Sequence, residues 1–468
     1  MERRLEVAAA APAAGAWLEE LRATIALAAP LALAQLGQIA IGTTDVLMVG
    51  RLGERALAGV ALGNGLYYTV FLFGLGVLTT VAALAAQARG ARAPRDVRRV
   101  VRQGLWVGTT IGLPSLAVLW HAEELLLLFG QDGVAARDAG SYVDVLMWGI
   151  LPSLWFVALR GFVSALGRPR PILWTVLAGI VLNALLDYAL IFGKLGAPEL
   201  GIVGAGIAST AVNTGMCLAL LAIAVFGRPF RRYLILRHLW RSDWSRFREI
   251  FRIGLPVGVA ILLEVGLFTT ALYLMGLLGT AQVAAHQIAI QVAATTFMVT
   301  VGISQAATVR VGLAFGRRDP EGVRRAGWTA MALGAAFMSV MALVFWFLPR
   351  PIVGLFVDLT APENAAVVRL AVALIMVAAL FQLADGAQAI AAGVLRGMSD
   401  TRVPMVIAGI GYWGVGLTSC VLLGFVLGLG GVGIWIGLAI GLAAVGGALV
   451  HRFHVRDLRR TGVGGTPR

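Results

Sequence analysis

Residues 250–278 read IFRIGLPVGVAILLEVGLFTTALYLMGLL, an apolar run whose only carboxylate is Glu264. About 20 such residues suffice for a helix to cross the hydrocarbon core of a bilayer. The chain contains eleven further runs of this kind, so the sequence predicts twelve transmembrane helices. The full set lies at 23–49, 57–86, 100–120, 141–164, 172–192, 202–226, 250–278, 282–313, 327–348, 367–394, 403–427 and 431–450.

The composition of the whole chain agrees with a polytopic membrane protein. Of its 468 residues, 59% are hydrophobic and only 13% are charged, and its mean hydropathy is +0.86. Soluble domains carry about 25% charged residues, so a soluble multidomain enzyme is excluded. The apolar runs are continuous, whereas the strands of a membrane barrel alternate over about 10 residues. We therefore expect an all-α integral membrane fold.

The arginines predict the orientation of the bundle. The net charge is +14, and the arginines are concentrated in alternate connections, beginning with the one after the second predicted helix. Examples are Arg98 and Arg99, Arg168 and Arg170, Arg231 and Arg232, Arg324 and Arg325, and Arg402. Cytoplasmic loops are the basic ones, so both termini are expected in the cytoplasm of a multi-pass cell-membrane protein. The same arginines are expected to contact lipid headgroups, and no nucleic-acid partner is expected.

The two halves of the chain repeat each other at an offset of 226 residues. Matches of glycine and proline at loop and packing positions are more telling than matches of leucine. This offset aligns Pro30 with Pro256, Gly76 with Gly302, Gly90 with Gly316 and Pro94 with Pro320. Because each half holds six predicted helices, both share one orientation, which predicts two lobes related by a pseudo-twofold axis along the membrane normal.

This organisation gives five predicted segments. They are a cytoplasmic tail at 1–21, an N-lobe at 22–226, a basic linker at 227–247, a C-lobe at 248–451 and a second cytoplasmic tail at 452–468.

Four carboxylates fall within the predicted helices: Asp45, Asp187, Glu264 and Asp385. An ionisable group at the centre of a membrane helix costs about 2.5–3.5 kcal/mol on insertion scales. None of the four has an arginine one helical turn away, so a local ion pair does not account for them. Buried carboxylates without a partner change protonation readily or bind a cation. They are therefore the candidate sites for a coupling ion and for a substrate.

Further polar residues support these positions. Asn183 precedes Asp187 by one helical turn and shares its face, and Gln38 aligns with Glu264 under the repeat offset. The other supporting residues are Gln382 and Gln388 around Asp385, and His286 and Gln287. The alternatives to a functional role are snorkelling for Asp45, interhelical hydrogen bonding for Asn183 and a core position for His286.

The chain contains no phosphate-binding loop and no metalloprotease or serine-hydrolase motif. ATP-driven transport and membrane-embedded enzyme activity are therefore not expected, and no cofactor is implied.

Several segments resemble the multidrug and toxic compound extrusion (MATE) family, in its NorM-like branch. The matching segments include 45–51 (DVLMVGR), 283–289 (VAAHQIA), 310–312 (RVG), 194–200 (KLGAPEL) and Asp385 with Arg396-Gly397. The resemblance covers about residues 22 to 450. It implies a V-shaped pair of six-helix lobes that exports amphipathic organic cations in exchange for inward Na⁺ or H⁺, and it agrees with a monomer.

The resemblance also implies where the ion sites lie. Asp45, Asn183 and Asp187 would form an N-lobe site, and Glu264 and Asp385 a C-lobe site; Na⁺, if it is the coupling ion, would bind at one of them. Phe381 stands where relatives with a Na⁺ site often have tyrosine, so the choice between Na⁺ and H⁺ stays open. The alternative functions are a lipid-linked oligosaccharide flippase and a membrane-embedded transferase.

Overall fold

The computed structural model describes residues 14–241 and 243–461, and none of these residues forms a β-strand. Seventeen α-helices account for most of them. The first nine are α1 (Ala14–Gly50), α2 (Glu54–Leu78), α3 (Thr80–Gly90), α4 (Pro94–Trp120), α5 (Ala122–Leu128), α6 (Gly133–Leu146), α7 (Ile150–Ala165), α8 (Arg170–Phe192) and α9 (Gly201–Phe226). The remaining eight are α10 (Trp244–Leu278), α11 (Thr280–Gly316), α12 (Pro320–Phe347), α13 (Pro349–Val353), α14 (Ala365–Gly397), α15 (Arg402–Gly409), α16 (Leu417–Val421) and α17 (Gly430–Thr461).

These helices confirm the predicted all-α membrane fold. Within the described residues, eleven helices or continuous helical segments are long and apolar enough to cross a bilayer. The pair α4 and α5, bent by 63°, makes a twelfth when it is counted as one span. Every span matches one of the predicted apolar runs, and the runs at 327–348 and 403–427 extend one residue beyond their helices. The segment at 402–426 is unusual, because π-helical turns at Ile410–Gly416 and Leu422–Val426 interrupt α15 and α16.

The two halves meet along four spans. α1 and α3 pack against α11, and α2 packs against α10. A Cβ atom on Gly76 would lie 2.6 Å from the Cα of Gly258, and one on Gly302 would lie 2.6 Å from the Cα of Ala32. Gly76 and Gly302 are related by the 226-residue offset, as are Ala32 and Gly258. The two contacts are therefore the same contact seen from each lobe, as a twofold axis requires.

The same reciprocity closes the arginine-rich end of the lobes. Gly90 lies against the backbone carbonyl of Leu313, and Gly316 lies against that of Gln87. These four residues also form two pairs at the 226-residue offset. Only glycine lets the backbones approach this closely, as in other packed membrane helices.

Polar contacts across the lobes reinforce this closure. The side chain of Arg310 on α11 pairs with Glu20 on α1. Arg246 on α10 lies 3.4 Å from Asp96 on α4, and Gln87 donates to the carbonyl of Gly397 at 2.8 Å. We refer to this end of the junction, around Gly90 and Gly316, as the basic seal.

The linker between the lobes runs along α4. The indole of Trp106 donates to the carbonyl of Leu239 at 2.9 Å, and Arg102 donates to the carbonyl of His238 at 3.0 Å. Arg99 pairs with Asp243 at 2.5 Å, and its guanidinium lowers the pKa of that carboxyl to about 2. Asp243 thus stays charged through the physiological pH range, and its contact with Arg99 is lost only in strong acid.

Three predicted boundaries differ from the helix ends. The predicted tail at 1–21 lies outside the described residues up to 13, and α1 already begins at Ala14. α10 begins at Trp244, because Asp243 caps it by accepting from the backbone N–H of Arg246. α17 continues past 452 to Thr461, since Arg452 and Arg456, one helical turn apart, pair with Asp400 at 2.7 and 3.1 Å.

The basic seal predicts a specific effect of Gly316→Leu. The backbone of Gln87 occupies the space that a side chain at 316 would need, so the lobes should separate at this end. We expect a cysteine introduced at Gln305, which lines a cavity of about 30 Å³ between the lobes, to react with a thiol reagent at least tenfold faster in the purified variant.

The matched control is Gly276→Leu, because a Cβ on Gly276 meets no atom within 4 Å. This change should leave the reaction rate as it is in the parent protein. Equal rates in Gly316→Leu and Gly276→Leu would show that the seal does not depend on glycine.

Candidate functional site

A polar cluster lies inside the N-lobe where α1, α8 and α9 meet. Asn183 on α8 donates its side-chain N–H to Oδ1 of Asp45 at 2.7 Å. Ser209 on α9 donates to Oδ2 of Asp45 at 3.0 Å. Asn183 and Asp187 are fully buried, and Asp45 is 7% exposed. The structure therefore brings together the three residues expected in this lobe, and burial rules out the interpretation of Asp45 as a snorkelling side chain.

Asp187 has no compensating donor in this N-lobe cluster. Neither of its carboxylate oxygens accepts a hydrogen bond from the described residues, and Oδ1 of Asn183 also lacks a partner. Asp187 lies beside the side chains of both Asp45 and Asn183. Two neighbouring carboxylates repel each other unless a proton or a cation lies between them. The cluster is therefore a group of oxygen atoms that one added proton or monovalent cation would stabilise.

The C-lobe holds a second cluster between α10, α14 and the π-helical turn at 410–416. The hydroxyl of Tyr412 donates to Oε2 of Glu264 at 3.4 Å. Asp385 and Gln388 on α14 face the same place, because Asp385 lies within electrostatic range of Glu264 and Gln388 lies beside both Glu264 and Tyr412. Oδ1 of Asp385 and Oε1 of Gln388 accept no hydrogen bond within the described chain.

Sequence reasoning missed Tyr412. It lies in an apolar run between glycines, at 411–414 (GYWG), where aromatic residues are common in membrane helices. The π-helical turn lets the neighbouring residue Trp413 hold α10 as well, by donating its indole N–H to the carbonyl of Leu263 at 3.1 Å. Isolated π-helical turns occur frequently at functional sites, but nothing in the residue pattern predicted one here. Ser209 was also missed, since a serine in an apolar helix carries little signal.

The glutamines expected to support these clusters differ in where they lie. Gln382 is buried and accepts from the hydroxyl of Thr296 at 3.1 Å, and its Nε2 has no acceptor among the described residues. Gln38 is half-buried and Gln287 is exposed, and no hydrogen bond joins either side chain to a cluster in the described part of the chain. These two residues are therefore not brought to the sites.

His286 belongs to an aromatic group instead. Its Nδ1 accepts from the indole N–H of Trp435 at 3.1 Å, which leaves the remaining ring nitrogen to carry the proton of a neutral imidazole. The ring of Phe381 lies 5.2 Å from that of Trp435. The residue that replaces the tyrosine of some relatives thus packs in this aromatic group.

Within the described parts of the chain, no arginine pairs with any of the four carboxylates. None of the ion pairs among the described residues includes Asp45, Asp187, Glu264 or Asp385. Arg160, which is buried, and Arg396, which is half-buried, line the cavity between the lobes and have neutral partners. Arg160 donates to Gln35 at 2.7 Å, and Arg396 lies 3.3 Å from the hydroxyl of Thr308. Each lobe therefore carries a buried, acidic, oxygen-rich cluster that can accept a proton or a small cation.

Comparison with known proteins places these clusters in a family context. The MatE family model matches residues 30–189 and 256–422. The two matched segments begin at Pro30 and Pro256, the pair that defines the internal repeat. The chain is 48% identical to the probable multidrug resistance protein NorM of Mesorhizobium japonicum, over 94% of this chain and 95% of that protein. It is 42% identical to the protein of the same name in Pseudomonas putida, over 95% and 96%.

Solved structures show the same fold. The crystal structure of a eukaryotic MATE transporter superposes with a TM-score of 0.83 at 20% identity, covering 95% of this chain and 98% of that one. A multidrug resistance MATE family transporter of the MOP superfamily, in an outward-facing conformation, superposes with a TM-score of 0.83 at 19% identity, covering 94% and 96%.

The missing donor at Asp187 predicts an unusual stability effect. Asp187→Asn should not destabilise the protein, because the new amide can donate to Asp45. Asn183→Leu should lower the melting temperature, because it removes a donor from a buried carboxylate, a loss of about 1–3 kcal/mol. Thermal unfolding of the detergent-purified variants tests this ranking. A melting temperature for Asp187→Asn as low as that for Asn183→Leu would contradict it.

Proposed function

The chain belongs to the MatE family of membrane transporters, and we propose that it is a cation-coupled antiporter that exports amphipathic organic cations by alternating access. The coupling ion would be H⁺ or Na⁺, moving inward as the organic compound moves out. The observation that carries the proposal is the presence of two buried carboxylate clusters, one in each lobe, without compensating arginines. No cofactor beyond the coupling ion is needed, and no covalent chemistry is involved.

Two clusters of this kind explain how an ion gradient could drive the protein. A proton or Na⁺ entering the N-lobe cluster supplies the charge missing between Asp45 and Asp187. Binding would change the hydration and packing of α1, α8 and α9, which carry the cluster. A ligand shifts a conformational equilibrium only through different affinities for the two states. Occupation of the carboxylates by the ion in one state, and by the organic cation in the other, would provide that difference.

The N-lobe cluster is chemically suited to either ion. A proton on Asp187 could be donated to Asp45 or to the orphan Oδ1 of Asn183. A Na⁺ ion would find oxygen ligands on the same three residues, as hard cations prefer. The C-lobe cluster, around Glu264 and Asp385, offers oxygens in the same way, and Phe381 adds none.

The substrate class follows from the surroundings of the clusters. Tyr68 on α2 is 47% exposed and lies within electrostatic range of Asp45. An accessible aromatic face near a carboxylate suits a lipophilic cation. The relatives named as probable multidrug resistance proteins agree with such a substrate. A flippase for anionic lipid-linked sugars would call for basic residues at these positions, where the chain has acidic ones.

The closed basic seal fits one half of the transport cycle. With the lobes in contact at the arginine-rich end, any opening between them faces the opposite side of the membrane. If the arginine-rich end is cytoplasmic, as the positive-inside rule implies, this conformation is outward-facing. We propose that the protein works as a monomer in the cell membrane with both termini in the cytoplasm.

Amide substitutions test the proposal directly. Asp45→Asn, Asp187→Asn, Glu264→Gln and Asp385→Asn each remove the charge that the coupling ion meets. Efflux of a fluorescent organic cation from proteoliposomes should fall at least tenfold in each variant, with Na⁺ and pH gradients imposed separately. The control is Asp144→Asn, an exposed carboxylate of the same lobe, which should retain full activity. Normal efflux in all four variants would refute the coupling role.

Tyr412 is proposed as a positioning residue for Glu264. Tyr412→Phe removes one hydrogen-bond donor and keeps the ring, so it should change the coupling-ion concentration at half-maximal efflux several-fold while the maximal rate stays within about twofold. Tyr273→Phe, at a position on α10 that is 71% exposed, is the control. If the maximal rate falls and the dependence on ion concentration does not change, Tyr412 has a packing role and does not position Glu264.

A further inference from the structure

We propose that a basic cavity at the arginine-rich end binds the phosphate headgroup of an anionic phospholipid. The cavity has a volume of about 690 Å³. It is lined by Arg99 of α4, by the first turns of α10 and by the connection from α14 to α15. We refer to it as the α10–α15 pocket.

Its charge is strongly positive. Five arginines line the pocket, and only two carboxylates do, Glu249 and Asp400. Both are already paired, Glu249 with Arg246 at 2.6 Å and Asp400 with Arg452 and Arg456, which do not line the pocket.

Three of the lining arginines have no acidic partner. Arg248, Arg252 and Arg402 are exposed, and they take part in no ion pair within the described chain. Three unengaged guanidiniums in one concave site favour a multivalent oxyanion, which each can bind through two parallel hydrogen bonds.

The N-termini of two helices add to the positive potential of the pocket. α10 and α15 both begin at the pocket, which includes Ser245 and Arg402 in their first turns. Asp243 caps α10, but Thr401 does not cap α15, because its hydroxyl donates to the carbonyl of Ile253 at 2.7 Å. Free N–H groups at a helix start attract anions, in support of the arginines.

The surroundings indicate a lipid as the source of the phosphate. Trp244, at the start of α10, is 63% exposed, as expected for tryptophan at the level of the headgroups. From the pocket towards the membrane core, exposed apolar side chains continue along the two packed helices. They are Leu255 on α10 with Val403, Val406 and Ile410 on the α15 segment. A diacyl phospholipid would place its phosphate among the arginines and its chains on this strip.

The pocket also spans both lobes. Arg99 belongs to the N-lobe and the other lining residues to the second half of the chain. Opening of the basic seal would therefore remove the N-lobe wall of the pocket, whereas the three unpaired arginines would stay together on the C-lobe.

Equilibrium binding by native mass spectrometry tests the proposal on the purified full-length protein. The probes are dioctanoyl phosphatidylglycerol, dioctanoyl phosphatidylcholine and inorganic phosphate. Arg252→Gln/Arg402→Gln should weaken phosphatidylglycerol binding about 30-fold, from about fivefold for each arginine near the membrane surface. Arg252→Lys/Arg402→Lys should retain most of the affinity, since lysine also binds phosphate.

The matched control is Arg168→Gln/Arg170→Gln, which removes two exposed arginines outside the pocket and should change the affinity less than twofold. An equal loss of affinity in this control would show that general surface charge, and not the pocket, accounts for lipid binding. If phosphatidylcholine binds as tightly as phosphatidylglycerol, the pocket does not recognise the anionic headgroup. If inorganic phosphate binds as tightly as phosphatidylglycerol, the pocket is a site for free anions and the lipid proposal is wrong. If the double glutamine variant does not fold, single Arg252→Gln should show the fivefold loss, and its absence overturns the proposal.

Discussion

An ionised carboxylate removed from water needs a positive charge or several hydrogen-bond donors to remain charged. Of the four carboxylates inside the lobes, Asp45, Asp187 and Asp385 are buried and Glu264 is half-buried. Among the described residues they receive only neutral donors: Asn183 and Ser209 for Asp45, and Tyr412 for Glu264. Asp187 receives none. Each cluster is therefore most stable when something positively charged joins it from outside the chain. In the transport cycle that we propose, a visiting ion would complete an arrangement shared by helices from different parts of one lobe.

The pseudo-twofold axis relates the packing of the two lobes, whereas the carboxylate clusters differ between them. Gly76 against Gly258 and Gly302 against Ala32 are one contact used twice. The carboxylates do not repeat in this way. At the offset of 226 residues, Asp45 corresponds to Ala271 and Glu264 corresponds to Gln38. The duplicated halves thus share a packing surface and have placed their acidic groups independently, which would allow two ion sites with different properties in one bundle.

Charge of opposite sign is separated along the molecule. The four carboxylates of the two clusters lie inside the lobes, and most arginines lie at one end, where they form the basic seal and the α10–α15 pocket. α10 joins the two regions, because it carries Arg252 at the pocket and Glu264 in the C-lobe cluster. Twelve residues of helix separate them by about 18 Å. A movement of α10 as a whole would therefore affect both regions.

The sequence by itself determined the all-α membrane fold, the positions of its spans and the four isolated acidic residues, because hydropathy, charge and an ungapped repeat are local properties that can be read along the chain. It also placed Asn183 beside Asp187, since residues one turn apart share a helix face. Only the tertiary structure decided that Asp45 meets this pair, that Ser209 and Tyr412 complete the clusters, and that Gln38 and Gln287 stay outside them. Those outcomes depend on how helices far apart in sequence rotate against each other, and in the case of Tyr412 on a π-helical turn. Apolar residues of similar size leave that rotation undetermined until the whole bundle is packed.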